Sequence, residues 1–229
     1  MVYLRRSQER GYSDLGWLQS RHTFSFGNYY DPDHMGLSAL RVINDDRVQP
    51  GTGFATHSHQ DMEIISYVQQ GTIEHKDSMG NIEVLPAGEF QLMSAGTGVT
   101  HSEYNPSSSE SLSFLQIWIQ PAELGIEPGY QQRPFGHHEG LTIIVSPDGR
   151  DGSLKIHQDA WLHQLQLGHG QGEQYALRPG RTAYVHVICG TLDVNEHRLE
   201  AGDGIGLSEV AMIRFDAPED TQALLFDLP

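Results

Sequence analysis

Two pairs of residues carry the chemistry legible in this chain. His57 and His59 are separated by one residue, and His101 and Glu103 repeat that spacing. Side chains alternate along an extended strand, so each pair points to one face. If the two strands face each other inside one β unit, three imidazoles and one carboxylate converge. Three neutral nitrogens and one anionic oxygen suit Fe(II), Mn(II), Co(II), Ni(II), Cu(II) or Zn(II), and not a calcium cage of hard oxygens. A site of this kind keeps one or two positions open for water, substrate or dioxygen. Glu63 is the ambiguous neighbour: a fifth ligand, a partner for an imidazole N–H, or an outward-facing residue.

The elements that must position these residues are strands. The 25 glycines and 11 prolines are spread along the chain. Short β-rich runs lie between them, at 37–43, 63–68, 114–119, 141–145, 165–167, 184–188 and 223–228. Residues 7–19 and 123–125 are the places for a helical turn or short helix. The chain also repeats itself. Gly71-Thr72 aligns with Gly190-Thr191, and Gly88 with Gly202, with a shorter hairpin in the second half. Two β units follow, cut here as 1–133 and 134–229. Across the repeat, Ala176 and Arg178 stand where His57 and His59 lie. Thr182 replaces Glu63, and Phe215 and Ala217 replace His101 and Glu103. The expectation is one metal site per chain, in the N-terminal unit. His157, His163, His169, His186, His197 and the pair His137-His138 read as surface or hydrogen-bonded core residues.

Composition narrows the function further. Fourteen Lys and Arg against 30 Asp and Glu give a formal charge of −16 over 229 residues. That argues against direct nucleic-acid binding, which needs clustered cations, and against an anionic membrane surface. No run approaches a membrane span. The single cysteine, Cys189, forms no disulfide within the chain and reads as a small buried residue. The expectation is a cytoplasmic protein.

The motifs resemble a known family. Gly51-x5-His57-x-His59-x3-Glu63 with Gly71 resembles the first cupin motif, and Gly98-x2-His101-x3-Asn105 the end of the second. His22-Thr-Phe-Ser-Phe26, Asn28-Tyr-Tyr-Asp31, Arg41-Val-Ile-Asn-Asp45, His75-Lys-Asp-Ser-Met-Gly-Asn81 and His101-Ser-Glu-Tyr-Asn105 resemble the pirin family, nearest its bacterial quercetin 2,3-dioxygenase-like members. Glu63 falls one residue early for a general cupin, and Gly96 stands where a proline is usual. The resemblance implies an all-β bicupin: two tandem β-barrels of jelly-roll type with few short helices. It implies a metal only in the first, held by His57, His59, His101 and Glu103, with Fe(II) favoured. It also implies dioxygenase cleavage of a flavonol such as quercetin, with carbon monoxide released. Glu103 would then be both ligand and general base. Phe54, Met93 and Trp118, with Phe24 and Phe26, are candidates to stack on the planar substrate. The family also implies an alternative, iron-dependent sensing through a protein partner, and a third is a cupin reaction on another small molecule.

Overall fold

The computed structural model describes residues 1–229. Regular structure is almost wholly strand, and helix is limited to two 3-10 turns, Ser7–Glu9 and Arg150–Gly152. The first is all that the expected helical region 7–19 contains. Its remainder forms the strand Gly11–Asp14 and enters Leu18–His22. Residues 123–125 form no helix. The run expected at 37–43 begins late, as Leu40–Val48, with Leu37 making an isolated bridge to Leu40. No helix is long and apolar enough to cross a membrane.

The chain divides into two compact units. One comprises Gly11–Gly136 and Ile156–Gln158; the other comprises Met1–Arg10, His137–Lys155 and Asp159–Pro229. In the first unit a seven-stranded sheet runs Gly129–Pro134, Glu89–Ser94, Glu63–Gln70, Leu112–Ile119, Leu40–Val48, Leu18–His22, Gly11–Asp14. A four-stranded sheet runs Gly53–His59, Val99–Tyr104, Thr72–Asp77, Ile82–Pro86. Leu18, Val48, Val68, Leu112 and Phe114 of the larger sheet pack on Ile73 and Leu85 of the smaller. The sheets therefore stack face to face as a jelly roll, without closing into a hydrogen-bonded ring.

The second unit repeats this strand order around Thr182–Cys189, with a change at each edge of the larger sheet. Where Gly11–Asp14 pairs antiparallel with Leu18–His22, Leu154–Lys155 pairs parallel with Gly140–Ser146. The opposite edge is taken by a strand from the start of the chain. There Val2–Arg5 pairs antiparallel with Gly204–Ser208, in the place that Gly129–Pro134 takes beside Glu89–Ser94. An uncovered edge strand would leave a row of backbone donors and acceptors unpaired. Arg6 Nη1 then donates to Asp203 Oδ2 at 2.6 Å, and the Ser7 N–H donates to Asp203 Oδ1 at 2.7 Å. The structure thus differs from a single cut at 133/134.

The repeated glycines have a conformational cause. Gly71 and Gly190 sit at φ +82° and +78° in matching hairpin turns. A Cβ at Gly71 would lie 3.1 Å from Leu112 Cα, and one at Gly190 would lie 2.4 Å from the Asp220 carbonyl oxygen. Only glycine meets both demands without strain.

Candidate metal centre

Ladder register builds the centre. Gly53–His59 pairs antiparallel with Val99–Tyr104, placing His101 opposite His57 and Val99 opposite His59. The three imidazoles come together, with ring centroids 4.5 Å (His57–His101), 4.8 Å (His57–His59) and 4.9 Å (His59–His101) apart. Donor nitrogens of all three lie within 4.8 Å of one another. His57 Nδ1–H donates to the Ala55 carbonyl at 2.8 Å, which fixes the tautomer and leaves Nε2 its lone pair. His101 is buried, and neither of its ring nitrogens has a hydrogen-bond partner. Such orphaned atoms are costly in a protein interior, and a metal ion accepting a lone pair removes the deficit.

Burial pushes the His59 imidazole down to about 4, reinforced by His101 and His57 and opposed by Glu103. Burial likewise pushes His101 down to about 3, with His57 and His75 adding to it and Asp77 opposing. Both rings are neutral at neutral pH, the state a metal requires. Nitrogen-rich donors of this kind fit a first-row divalent ion.

On the other side of Val99–Tyr104, the strand Thr72–Asp77 sets Asp77 opposite His101 and His75 opposite Glu103. Glu103 is buried, and its Oε1 accepts from Gln91 Nε2 at 2.9 Å and from Ser66 Oγ at 3.3 Å. Its Oε2 accepts only from Gln116 Nε2, at 3.4 Å. Tyr130 O–H donates to Gln91 Oε1 at 2.9 Å, so the Gln91 amide turns its N–H side to the carboxylate. Glu103 groups with His75 and His101, their donor atoms again within 4.8 Å. His75 Nε2–H donates to Asp77 Oδ2 at 3.0 Å. Burial acts to raise Asp77, but hydrogen bonds from Asn81 and His75 outweigh it and hold the carboxyl below its usual range. Sequence reasoning passes over His75 as a candidate ligand, although His75-x-Asp77 has the same one-residue spacing as the other two pairs.

The remaining candidates separate. Trp118 stands edge-on to His59 at 5.0 Å and to Phe26 at 5.3 Å. Met93 is buried with Ile64, Ala95 and Val99, and Trp118 and Tyr130 pack on that cluster. Phe54 meets Trp17 at 5.1 Å and lies 6.4 Å from the His57 ring. Phe24 is buried core. Glu63 is three residues from Ser66 on its strand and so faces the other way. It accepts from Ser94 Oγ at 2.9 Å and lies 3.4 Å from His157 Nδ1, touching none of the clustered imidazoles. His157, expected in the second unit, belongs with the first.

In the second unit ladder register sets Phe215 opposite Val194, as Glu103 is set opposite His75. Phe215 is therefore the counterpart of Glu103, and the alignment of Phe215 with His101 read from the sequence is two residues off. Phe215 is buried among Val194, Ile213 and Leu225. Apolar packing fills the place that holds polar groups in the first. His163 and His186 are buried there. Burial lowers His163 to about 4 and His186 to about 3. Cys189 is exposed, not buried. It ends its strand at a register shift beside the hairpin turn, where the alternation that buries Val185 and Val187 breaks.

A family model described as Pirin matches residues 3–119, and one described as Quercetinase C-terminal cupin domain matches 143–228. A quercetin 2,3-dioxygenase of Escherichia coli is 52% identical, covering 100% of this chain and 99% of its own length. A pirin-like protein of Caulobacter vibrioides is 42% identical, covering 99% of each chain. The crystal structure of the bacterial pirin YhhW from Escherichia coli in complex with nickel(II) superposes with a TM-score of 0.98 at 52% identity, over 100% of this chain and 99% of that one.

Proposed function

The chain belongs to the pirin family, and from that premise we propose that it is a metal-dependent dioxygenase acting on a flavonol such as quercetin. One dioxygen is consumed, the central ring opens to a depside, and one ring carbon leaves with its oxygen as carbon monoxide. The observation that carries this reading is the three-imidazole cluster, with His101 buried and His57 and His59 partly exposed, and the buried Glu103 beside it. His57, His59, His101 and Glu103 hold one divalent ion. We favour Fe(II), and Mn, Co, Ni, Cu and Zn fit the same donors. Bound there, the ion supplies Lewis acidity toward the substrate's enolic hydroxyl and a path for electrons to dioxygen.

The rest is the work of side chains. Glu103 accepts the hydroxyl proton on Oε2, the oxygen with only one long hydrogen bond. Gln91 and Ser66 hold Oε1 still while Oε2 reacts. Trp118, locked edge-on between His59 and Phe26, forms the flat wall for a planar ring system, and Met93 backs that wall. Phe54 closes the His57 side. The relatives named for quercetin cleavage support the substrate class.

The test is oxygen-dependent loss of quercetin absorbance with carbon monoxide release by protein reloaded with single metals. Activity that needs the metal and disappears in His101→Ala supports the reading. Tight metal binding with no turnover on any flavonol overturns it.

A further inference from the structure

His75 is a prepared metal ligand that the proposed function leaves unused. Its ring is fully buried. Nε2 is committed to Asp77 at 3.0 Å, so the lone pair resides on Nδ1, which has no partner. Asp77 is itself anchored, by Asn81 Nδ2 at 2.8 Å and by the Met79 and Asn81 backbone N–H groups at 2.9 and 3.1 Å. A carboxylate on the far nitrogen is the arrangement that orients a ligating histidine and raises its basicity. Tyr130 stacks on the ring at 4.6 Å and fixes its plane. His101 lies 5.4 Å away, also with both nitrogens unpartnered. The Glu103 carboxylate completes a trio in which each member is buried and whose donor atoms lie within 4.8 Å.

We propose that His75, His101 and Glu103 form a second, inner position for a divalent ion, deeper than the cluster of His57, His59 and His101 and sharing both His101 and Glu103 with the ligand set of the outer ion. Two nitrogens and one carboxylate select a nitrogen-seeking first-row ion such as Co(II), Ni(II) or Zn(II) over magnesium or calcium. Because the inner trio contains neither His57 nor His59, it retains an ion when those two are removed. The inner position does not depend on the flavonol reaction.

The test uses the full chain and Co(II), read by its visible absorption and by calorimetric stoichiometry. The His57→Ala/His59→Ala variant is expected to bind one Co(II) per chain, and adding His75→Gln is expected to abolish that binding. A melting curve checks that the triple variant is folded. Should it not fold, Asp77→Asn in the double-variant background is expected to weaken Co(II) binding by about 10- to 100-fold, the usual effect of removing a carboxylate behind a ligating histidine. No Co(II) bound by the double variant overturns the inner position and leaves the outer one intact. Binding that survives His75→Gln in a folded triple variant, or that Asp77→Asn leaves unchanged, also overturns it. Wild-type binding that is lost with His75→Gln but indifferent to His57→Ala/His59→Ala supports the inner position and overturns the outer.

Discussion

Asp46 shows what the polar interior of the first unit costs. Burial pushes its carboxyl up to about 7, with the Ser20 hydrogen bond opposing and the charges of Asp45 and Glu103 adding to the rise. The native state therefore holds a proton that the unfolded chain, titrating near 4, has lost. Stability from this group is complete below about pH 4 and is lost as pH rises through about 7. Asp46→Asn should shrink the fall in unfolding free energy between pH 5 and pH 8 by on the order of 1–3 kcal/mol, read by denaturant melts at the two pH values. An unchanged pH profile would contradict the buried, protonated carboxyl. At Glu103 the prediction is kinetic. Glu103→Gln keeps the contacts of Gln91 and Ser66 to one oxygen but loses the proton acceptor, so turnover should fall by about 10²- to 10⁴-fold while some metal is retained. Near-normal kcat would remove Glu103 from that role.

The hairpins tie local conformation to the fold. Gly88→Ala meets only the strain of φ +88°, since no atom lies near its Cβ, and should cost about 1–2 kcal/mol. Gly190→Ala adds a 2.4 Å approach to backbone and should cost distinctly more. Equal melting temperatures for the two variants would contradict this account. Such glycines are also why the duplication is legible in sequence: a left-handed turn tolerates few residues, so the same residue recurs at the same place. His57, His59, His101 and Glu103 are legible for a related reason, because alternation alone puts each pair on one face. His75, Gln91, Gln116 and Tyr130 are not. His75 is set beside Glu103 by the ladder of Thr72–Asp77 with Val99–Tyr104. Gln91 and Gln116 reach the carboxylate from the facing sheet, and Tyr130 acts through Gln91. Spacing within one strand carries no record of either. The buried reading of Cys189 rested on the usual habit of a free cysteine, and failed because Cys189 sits at a register shift where its strand ends.

At the scale of the molecule, the N-terminal segment belongs to the unit built mostly from the far end of the chain. Arg6 is part of that attachment through the buried Asp203. Arg6→Ala should cost about 1–3 kcal/mol, because it withdraws a donor from a buried carboxylate. Removing residues 1–10 should expose the edge Gly204–Ser208 and lower the melting temperature of the second unit. A truncated protein that melts as the full chain does would contradict the edge-strand role. The charge of −16 leaves the surface unsuited to polyanions, which agrees with chemistry on a small molecule inside one unit. The most direct test of that chemistry supplies isotopically heavy dioxygen to the metal-loaded protein with quercetin and follows the label. The account predicts both heavy oxygen atoms in the depside and an unlabelled carbon monoxide. Quercetin oxidised without carbon monoxide, or a depside carrying one heavy atom or none, would contradict it.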